Sequence, residues 1–191
     1  MAEYDVTIRP VEPGDALGLA RIQIDTWRDA YVGMLPDDTL LDLDDMRAAV
    51  RWTRVVGGLR LPEALAVAEI DGRLVGFCHG GAGRRAVAEA VDRLEPVAEV
   101  YALYVDPSFQ GMGIGRALLA DVTRRLIAHG FEALALLTLA DNRHGRRFYD
   151  RIGGAVGEAI PSVVVGSPAD QVPYFWPDME RLVQRLDAPA A

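Results

Sequence analysis

The chain predicts a mixed α/β fold, and three observations carry that prediction. Strand-like and helix-like stretches alternate along its whole length, with no block of one type. Of its 191 residues, 50% are hydrophobic and 25% charged, which suits a sheet covered by helices around a sizeable core. An apolar run at Val97–Val105 stops at Asp106-Pro107, passes through Gln110-Gly-Met-Gly-Ile-Gly115, and enters an amphipathic helix. At this length one domain is expected, over residues 3–187, with a loose Ala/Pro tail at 188–191.

The elements follow in order. Tyr4 to Arg9 alternates like a first strand. Pro13-Gly-Asp15 is placed to cap a helix bearing Ala20, Ile24, Trp27 and Tyr31 at helical spacing, and Gly33 to end it. A second helix is predicted from Pro36 to Val56, with Leu43, Met46, Val50 and Thr53 on one face. Leu65–Ile70, Asp71-Gly72 and Leu74–His79 read as a hairpin with a tight turn. Gly80 to Pro96 reads as a loop or short helix. After the glycine turn, Ile114, Leu118, Val122 and Leu126 form the buried stripe of a helix. Phe131–Leu139 is almost wholly apolar, as in a strand buried on both faces. Asn142–Ile152 reads as a helix stopped by Gly153-Gly154. Two strands near 155–165 and 172–176 and a short polar-tipped helix close the chain.

Composition narrows the function. The net charge of -8 argues against a nucleic-acid-binding surface. A single cysteine, Cys78, excludes an internal disulfide framework and fits a reducing cytoplasm. The first residues lack the features of a signal peptide, and no uncharged apolar run reaches the roughly 18 residues of a membrane span. A cytoplasmic protein with no membrane or nucleic-acid partner is expected; a homodimer is left open. His79, His129 and His144 lack metal-ligand spacing, so no metal is expected.

The glycine turn is the one strong pointer to a ligand. Gly111, Gly113 and Gly115 permit positive φ and close approach, and the first N–H groups of the following helix face outward at its positive end. That combination binds phosphate. It is not a Walker A loop, because no Gly-Lys-Ser/Thr follows, and it lacks the third glycine of a dinucleotide fingerprint. A kinase or an oxidoreductase is disfavoured on those grounds. Taken alone, the turn fits a plain structural connection equally well.

Gln110-Gly-Met-Gly-Ile-Gly115 matches Gln/Arg-x-x-Gly-x-Gly/Ala at every defined position. With Leu103-Tyr-Val-Asp-Pro107, Arg116-Ala-Leu-Leu119 and Asn142-Arg-His-Gly-Arg-Arg-Phe-Tyr-Asp-Arg-Ile-Gly-Gly154, the chain resembles the GCN5-related N-acetyltransferase superfamily. Ile8-Arg-Pro10 and Trp27-Arg-Asp-Ala-Tyr-Val-Gly-Met-Leu-Pro36 resemble the acceptor-side entry of its bacterial members, while Gly145 and Gly154 replace the usual Ala and Phe. The resemblance implies an acyl-CoA N-acyltransferase fold: a central mixed sheet of six or seven strands, splayed between Val97–Val105 and Phe131–Leu139, with acetyl-CoA as co-substrate in the gap. It implies a cofactor site of Leu103, Tyr104, Val105, Gln110, Gly111, Met112, Gly113, Ile114, Gly115, Arg116, Asn142 and Arg146. Arg143 and Arg147 are further candidates for phosphate contacts.

Acetyl transfer from a thioester to an amine needs a donor to the carbonyl oxygen, a proton acceptor for the amine and a proton for the departing thiolate. Tyr149 is the candidate acid. It shares a helix face with Asn142 and Arg146, and the family's Phe-Tyr pair commonly turns its tyrosine toward the CoA sulfur. Packing beside Phe148 is the competing reading. Glu99 is the candidate base, 11 residues before Gln110, the offset of the general-base glutamate in the superfamily's histone acetyltransferases. A solvated glutamate at a strand end, with water relaying the proton, competes with it. Asp106 is read as shaping its turn. Trp27 and Tyr31, with Trp52, are candidates to line an acceptor pocket, and equally candidates for the core. The implied activity is direct acetyl transfer to a primary amine of a small molecule, peptide or protein N-terminus. The alternative is a degenerate CoA-binding sensor, which thiol release across a panel of amines distinguishes.

Overall fold

A computed structural model describes residues 5–91 and 96–188. In chain order the strands are β1 (Thr7–Pro10), β2 (Ala64–Ile70), β3 (Arg73–Ala82), β4 (Val97–Val105), β5 (Ala133–Leu139), β6 (Ala155–Val156), β7 (Ile160–Val164) and β8 (Ser167–Trp176). The helices are α1 (Ala16–Ala30), α2 (Asp37–Leu41), α3 (Asp45–Gly58), α4 (Arg85–Ala90), α5 (Ile114–Ile127), α6 (Arg143–Arg151) and α7 (Met179–Asp187). The strands form one sheet in the order β1-β2-β3-β4-β5-β8, with β6 and β7 both pairing the far edge of β8. Every pairing is antiparallel except β4 with β5.

Alternation along the strands decides which layer each side chain enters. Ala66, Ala68 and Cys78 turn to one face, where Leu118, Leu119, Val122 and Leu126 of α5 cover them. Leu65, Val67 and Phe77 turn to the other, against Leu19 and Ile22 of α1 and Ala49 and Trp52 of α3. The stripe predicted for α5 is buried in full, from Ile114 at 2% exposure to Leu126 at 0%. The β2–β3 turn is as predicted: Asp71 and Gly72 both adopt positive φ, 49° and 76°, which twists a two-residue hairpin the right way.

Several expectations are corrected. The helix predicted from Pro36 to Val56 is two helices, because Asp44 caps α3 by accepting from the Arg47 N–H at 2.7 Å. Its buried face is Ala48, Ala49 and Trp52, whereas Met46 and Val50 are exposed. Asp15 does not cap α1; its carboxylate accepts from the Glu12 N–H and pairs with Arg9. The sheet has eight strands, since the stretch expected as one strand near 155–165 is β6 and β7. Part of the segment expected as loop or short helix, Gly80 to Pro96, lengthens β3 to Ala82, and α4 follows. Tyr4 of the predicted first strand and most of the predicted tail lie outside the described residues.

Candidate active site

The site begins where two strands part. β4 and β5 pair in parallel only from Val97 with Ala133 to Val100 with Leu136. Beyond that point β4 stays with β3 and β5 stays with β8, so the edge of β4 from Tyr101 to Val105 faces a gap. A bulge opens at the same place: His79 pairs with Ala102 and Gly80 with Val100, leaving Tyr101 without an opposite residue on β3. The splay predicted between these strands is therefore present. The half-buried residues of that edge have no strand partner there, and among the described residues only the Val105 carbonyl is met by side chains, Thr26 Oγ1 and Gln110 Nε2, so the rest of the edge is left to a ligand or water.

The glycine turn closes the mouth of the gap. Asp106 caps its start by accepting from the Ser108 N–H at 3.0 Å, and Arg73 holds the other carboxylate oxygen. Gly111 and Gly113 adopt φ of 78° and 82°, and Gly113 is the N-cap residue of α5. A Cβ added at either would meet no atom within 4 Å, so their need for glycine is conformational and the space before them is open. The N–H groups of α5's first turn thus face an open cradle. Ile114 is buried, so only its backbone reaches that cradle, while Met112 is 42% exposed.

Helix α6 forms the opposite wall. Asn142 caps it by accepting from the Gly145 N–H at 2.9 Å and donates to Thr138 Oγ1 at 3.3 Å. A Cβ on Gly145 would lie 2.7 Å from the Asn142 amide, so a larger residue there requires that side chain to shift. Phe148 approaches Gly115 of α5, and Tyr149 packs on Tyr174 and Trp176 with ring centroids 5.3 and 6.2 Å apart. The Tyr149 ring is half-buried. Among the described residues its hydroxyl has no hydrogen-bond partner, and it is not among the atoms sealed from solvent. Burial, reinforced by Tyr104, Cys78 and Tyr174, pushes its ionisation far above the usual tyrosine value, so it keeps its proton at neutral pH.

Residues 25–154 match the profile of the Acetyltransferase (GNAT) family. The chain belongs to that family. Among its relatives, the uncharacterized N-acetyltransferase YuaI of Bacillus subtilis is 28% identical over 183 residues, which covers 95% of this chain and 99% of YuaI. A mycothiol acetyltransferase of Thermomonospora curvata is 33% identical over 151 residues, 78% of this chain; the chain spans only 43% of that relative's length. Of solved structures, the putative acetyltransferase yncA of Salmonella typhimurium, determined with acetyl-CoA, superposes with a TM-score of 0.64 at 20% identity, covering 98% of this chain and 97% of that one. The PaiA N-acetyltransferase of Thermoplasma acidophilum, determined with coenzyme A, gives 0.63 at 18%, covering 88% and 98%. At these identities the structures show a shared fold.

Within this GNAT fold, several predicted cofactor side chains are committed elsewhere. Gln110 Nε2 donates back to the Val105 carbonyl at 3.1 Å. Arg116 donates to the carbonyls of Arg185, Leu186 and Ala188, closing the C-terminus of α7. Arg146 donates to the Ala140 carbonyl at 2.8 Å. These three side chains thus also hold the surrounding fold in place. Arg143 and Arg147, one turn apart on exposed α6, make no side-chain hydrogen bond or ion pair among the described residues. Among those residues no group of three His, Cys, Asp or Glu side chains is placed to hold a metal, and no helix is long and apolar enough to cross a membrane.

Glu99, the candidate base, is not the solvated strand-end glutamate of the competing reading. It is fully buried on β4, and Arg84 grips it with its backbone N–H at 2.9 Å, with Nε at 3.0 Å, and with a terminal guanidinium nitrogen that lies closer still. Its lone pairs are occupied by donors. Tyr101, which follows at the bulge, lies under the Arg84 guanidinium at 5.7 Å. Next to it is His79, whose ring is 5.0 Å from that of Tyr101 and whose Nε2 lies 3.2 Å from Glu63 Oε2. Considered from sequence only as a metal ligand, His79 escaped notice as a functional residue. The alternation that places Phe77 inward also places His79 inward, and that was the available signal. The bulge left none.

On the acceptor side, Trp27 stacks beside Tyr31 at 5.4 Å and meets Tyr104 edge-on at 6.4 Å. Its indole Nε1 is buried without a partner among the described residues. A cavity of about 190 Å³ opens beside it, lined also by Gln23, Asp42, Asp44, Arg47 and Arg51. Trp52 belongs instead to the core, at 5% exposure against Phe77.

Proposed function

We propose that this protein transfers the acetyl group of acetyl-CoA directly to a primary amine. One observation carries the reading: the unpaired edge of β4 at 101–105 leads straight to the open, positive-φ glycine turn at the start of α5. The first offers backbone hydrogen bonds to an extended chain, and the second offers N–H groups to phosphates; a pantetheine joined to a pyrophosphate has those two parts in that order. Support also comes from the two neighbouring folds determined with CoA or acetyl-CoA.

In this reading the N–H groups from Gly111 to Gly115 take the pyrophosphate, the backbone of Leu103, Tyr104 and Val105 takes the pantetheine, and Arg143 or Arg147 screens the remaining phosphate charge. The acceptor enters past Trp27 and Tyr31. Holding amine and thioester together supplies much of the rate without a covalent enzyme intermediate. The amine nitrogen attacks the thioester carbonyl carbon, the carbon–sulfur bond breaks, and Tyr149 gives its proton to the sulfur. Burial makes this phenol a weaker acid that stays protonated at neutral pH, and it passes the proton as negative charge develops on the sulfur of the breaking bond. In this reading the acceptor is a primary amine of a small molecule, a peptide or a protein N-terminus.

Thiol release from acetyl-CoA, measured with spermidine, glucosamine, alaninamide and an alanine-initiated peptide, tests the reading. Acceptor-dependent thiol release with matching N-acetyl product supports it. Tight acetyl-CoA binding without product from any of the four favours the sensor alternative.

A further inference from the structure

The face of the sheet turned toward α3 holds a titratable pair that the steps above do not use. His79 lies on β3 opposite Ala102, beside the bulge where β4 leaves β5. Resting on the transfer reaction proposed above, we propose that His79, oriented by Glu63, accepts the proton that the acceptor nitrogen sheds and passes it to solvent through Glu63.

Geometry carries the assignment. Glu63 has only acceptor oxygens, so the 3.2 Å contact requires His79 Nε2 to carry the hydrogen and leaves a lone pair on Nδ1. Nδ1 makes no hydrogen bond among the described residues and is not among their sealed, unpartnered atoms, so it is open to an incoming group. His79 is 8% exposed, whereas the Glu63 side chain is 38% exposed, which gives a buried acceptor a short exit to water. The arrangement has been given room: a Cβ on Gly81 would lie 2.7 Å from the Tyr101 hydroxyl and 2.9 Å from Glu63 Cγ. An imidazole fixed through one nitrogen by a carboxylate, with the other nitrogen free, is the usual construction of a general base. Glu99, by contrast, could accept a proton only by displacing Arg84.

The groups facing His79 are few. Glu63 comes from the turn before β2, and Tyr101 from β4, with the Glu99–Arg84 pair behind it; α3 contributes the uncharged Trp52. Burial lowers the His79 pKa from 6.5 and Glu63 opposes that shift, so the ring is neutral and able to accept at pH 7. The protons balance. An acceptor that arrives as an ammonium loses one proton, through His79 and Glu63, before its nitrogen has a lone pair to attack with; the second proton, lost as the amide forms, replaces the one that Tyr149 gives the thiolate.

The test is the pH dependence of thiol release with the fastest amine of the panel, for wild type, His79→Asn, Glu63→Gln and Glu99→Gln, alongside melting curves and acetyl-CoA calorimetry. His79→Asn is expected to lower kcat by roughly 100-fold or more, to remove the acidic limb and to leave acetyl-CoA affinity unchanged. Glu63→Gln is expected to lower kcat too, by less than His79→Asn because the imidazole remains, and to move the limb to lower pH, because the carboxylate raises the His79 pKa. A limb that survives in His79→Asn, or that vanishes in Glu99→Gln instead, overturns the assignment while leaving the transfer reaction standing. If wild type acetylates none of the amines, the transfer reading falls and this inference falls with it.

Discussion

Arg84 reaches Glu99 from the connection between β3 and α4 with its backbone N–H as well as its guanidinium, so one residue meets both oxygens of a carboxylate that has no contact with water. The pair is unequal: Glu99 is fully buried and the Arg84 side chain is 64% exposed. Removing Arg84 leaves a buried charge unanswered, whereas removing both charges does not. Arg84→Ala is expected to cost about 2 to 3 kcal/mol, below the range for a fully buried pair because water screens the arginine. The double variant Arg84→Ala/Glu99→Gln should recover at least about 1 kcal/mol of that loss. Chemical denaturation of the two variants decides. If the double variant is the less stable of the two, the ion pair is not what holds this corner.

Tyr149→Phe removes one hydroxyl and keeps the ring contacts with Tyr174 and Trp176. A packing residue would lose little by that change. A proton donor to the thiolate loses roughly 10- to 1,000-fold in kcat, with acetyl-CoA affinity nearly intact because the donor matters most as thiolate charge develops. Steady-state thiol release and a melting curve measure both quantities. A near-wild-type kcat where chemistry limits the rate would return Tyr149 to the core.

The general plan was legible in the sequence because it rests on local rules. The Asp71-Gly72 hairpin, the α5 stripe and the glycine turn each depend on residues adjacent or one helical turn apart. The failures share a different cause. The break at Asp44 was missed because its cap competes with a continuous helical pattern, and the exposed Met46 and Val50 followed from that wrong phase. The intramolecular partners of Arg116, Arg146 and Gln110, namely the end of α7, the Ala140 carbonyl and the Val105 carbonyl, also went unread, because they depend on tertiary packing that spacing does not encode. Likewise Arg84 and Glu99 are 15 residues apart and meet only because β3 and β4 pair.

Arg116 separates a structural role from a cofactor role. Its guanidinium spans the carbonyls that end α7, which packs on α5. Arg116→Ala is expected to destabilise the fold by about 1 kcal/mol through the lost cap and to leave the Kd for CoA within about a factor of three, less than 1 kcal/mol. Calorimetry with CoA, paired with denaturation, reads both. A large loss of affinity at unchanged stability would restore Arg116 to the phosphate site.

Stability should also carry the signature of buried His79. Its pKa is lowered on folding, so below 6.5 the unfolded chain binds a proton that the native chain refuses, and stability falls as pH falls through that range. The stabilising contribution is therefore present above 6.5 and is lost below it. His79→Gln removes the titration, so the difference in melting temperature between wild type and variant should shift in favour of the variant as pH drops from neutrality. A pH-independent difference would show that His79 is not held neutral by its surroundings.

The central claim is that the open cradle at the start of α5 binds the pyrophosphate of acetyl-CoA, and Gly113→Asp tests it most directly. Gly113 adopts φ of 82° and faces open space, and aspartate tolerates that conformation better than most residues, so the fold should survive. The new carboxylate would stand where a phosphate is expected and repel it. Calorimetric titration of acetyl-CoA into wild type and variant, with melting curves for both, gives the answer. The prediction is saturable one-to-one binding by wild type and none detectable by a variant that melts at nearly the same temperature; equal affinity in a folded Gly113→Asp would contradict it.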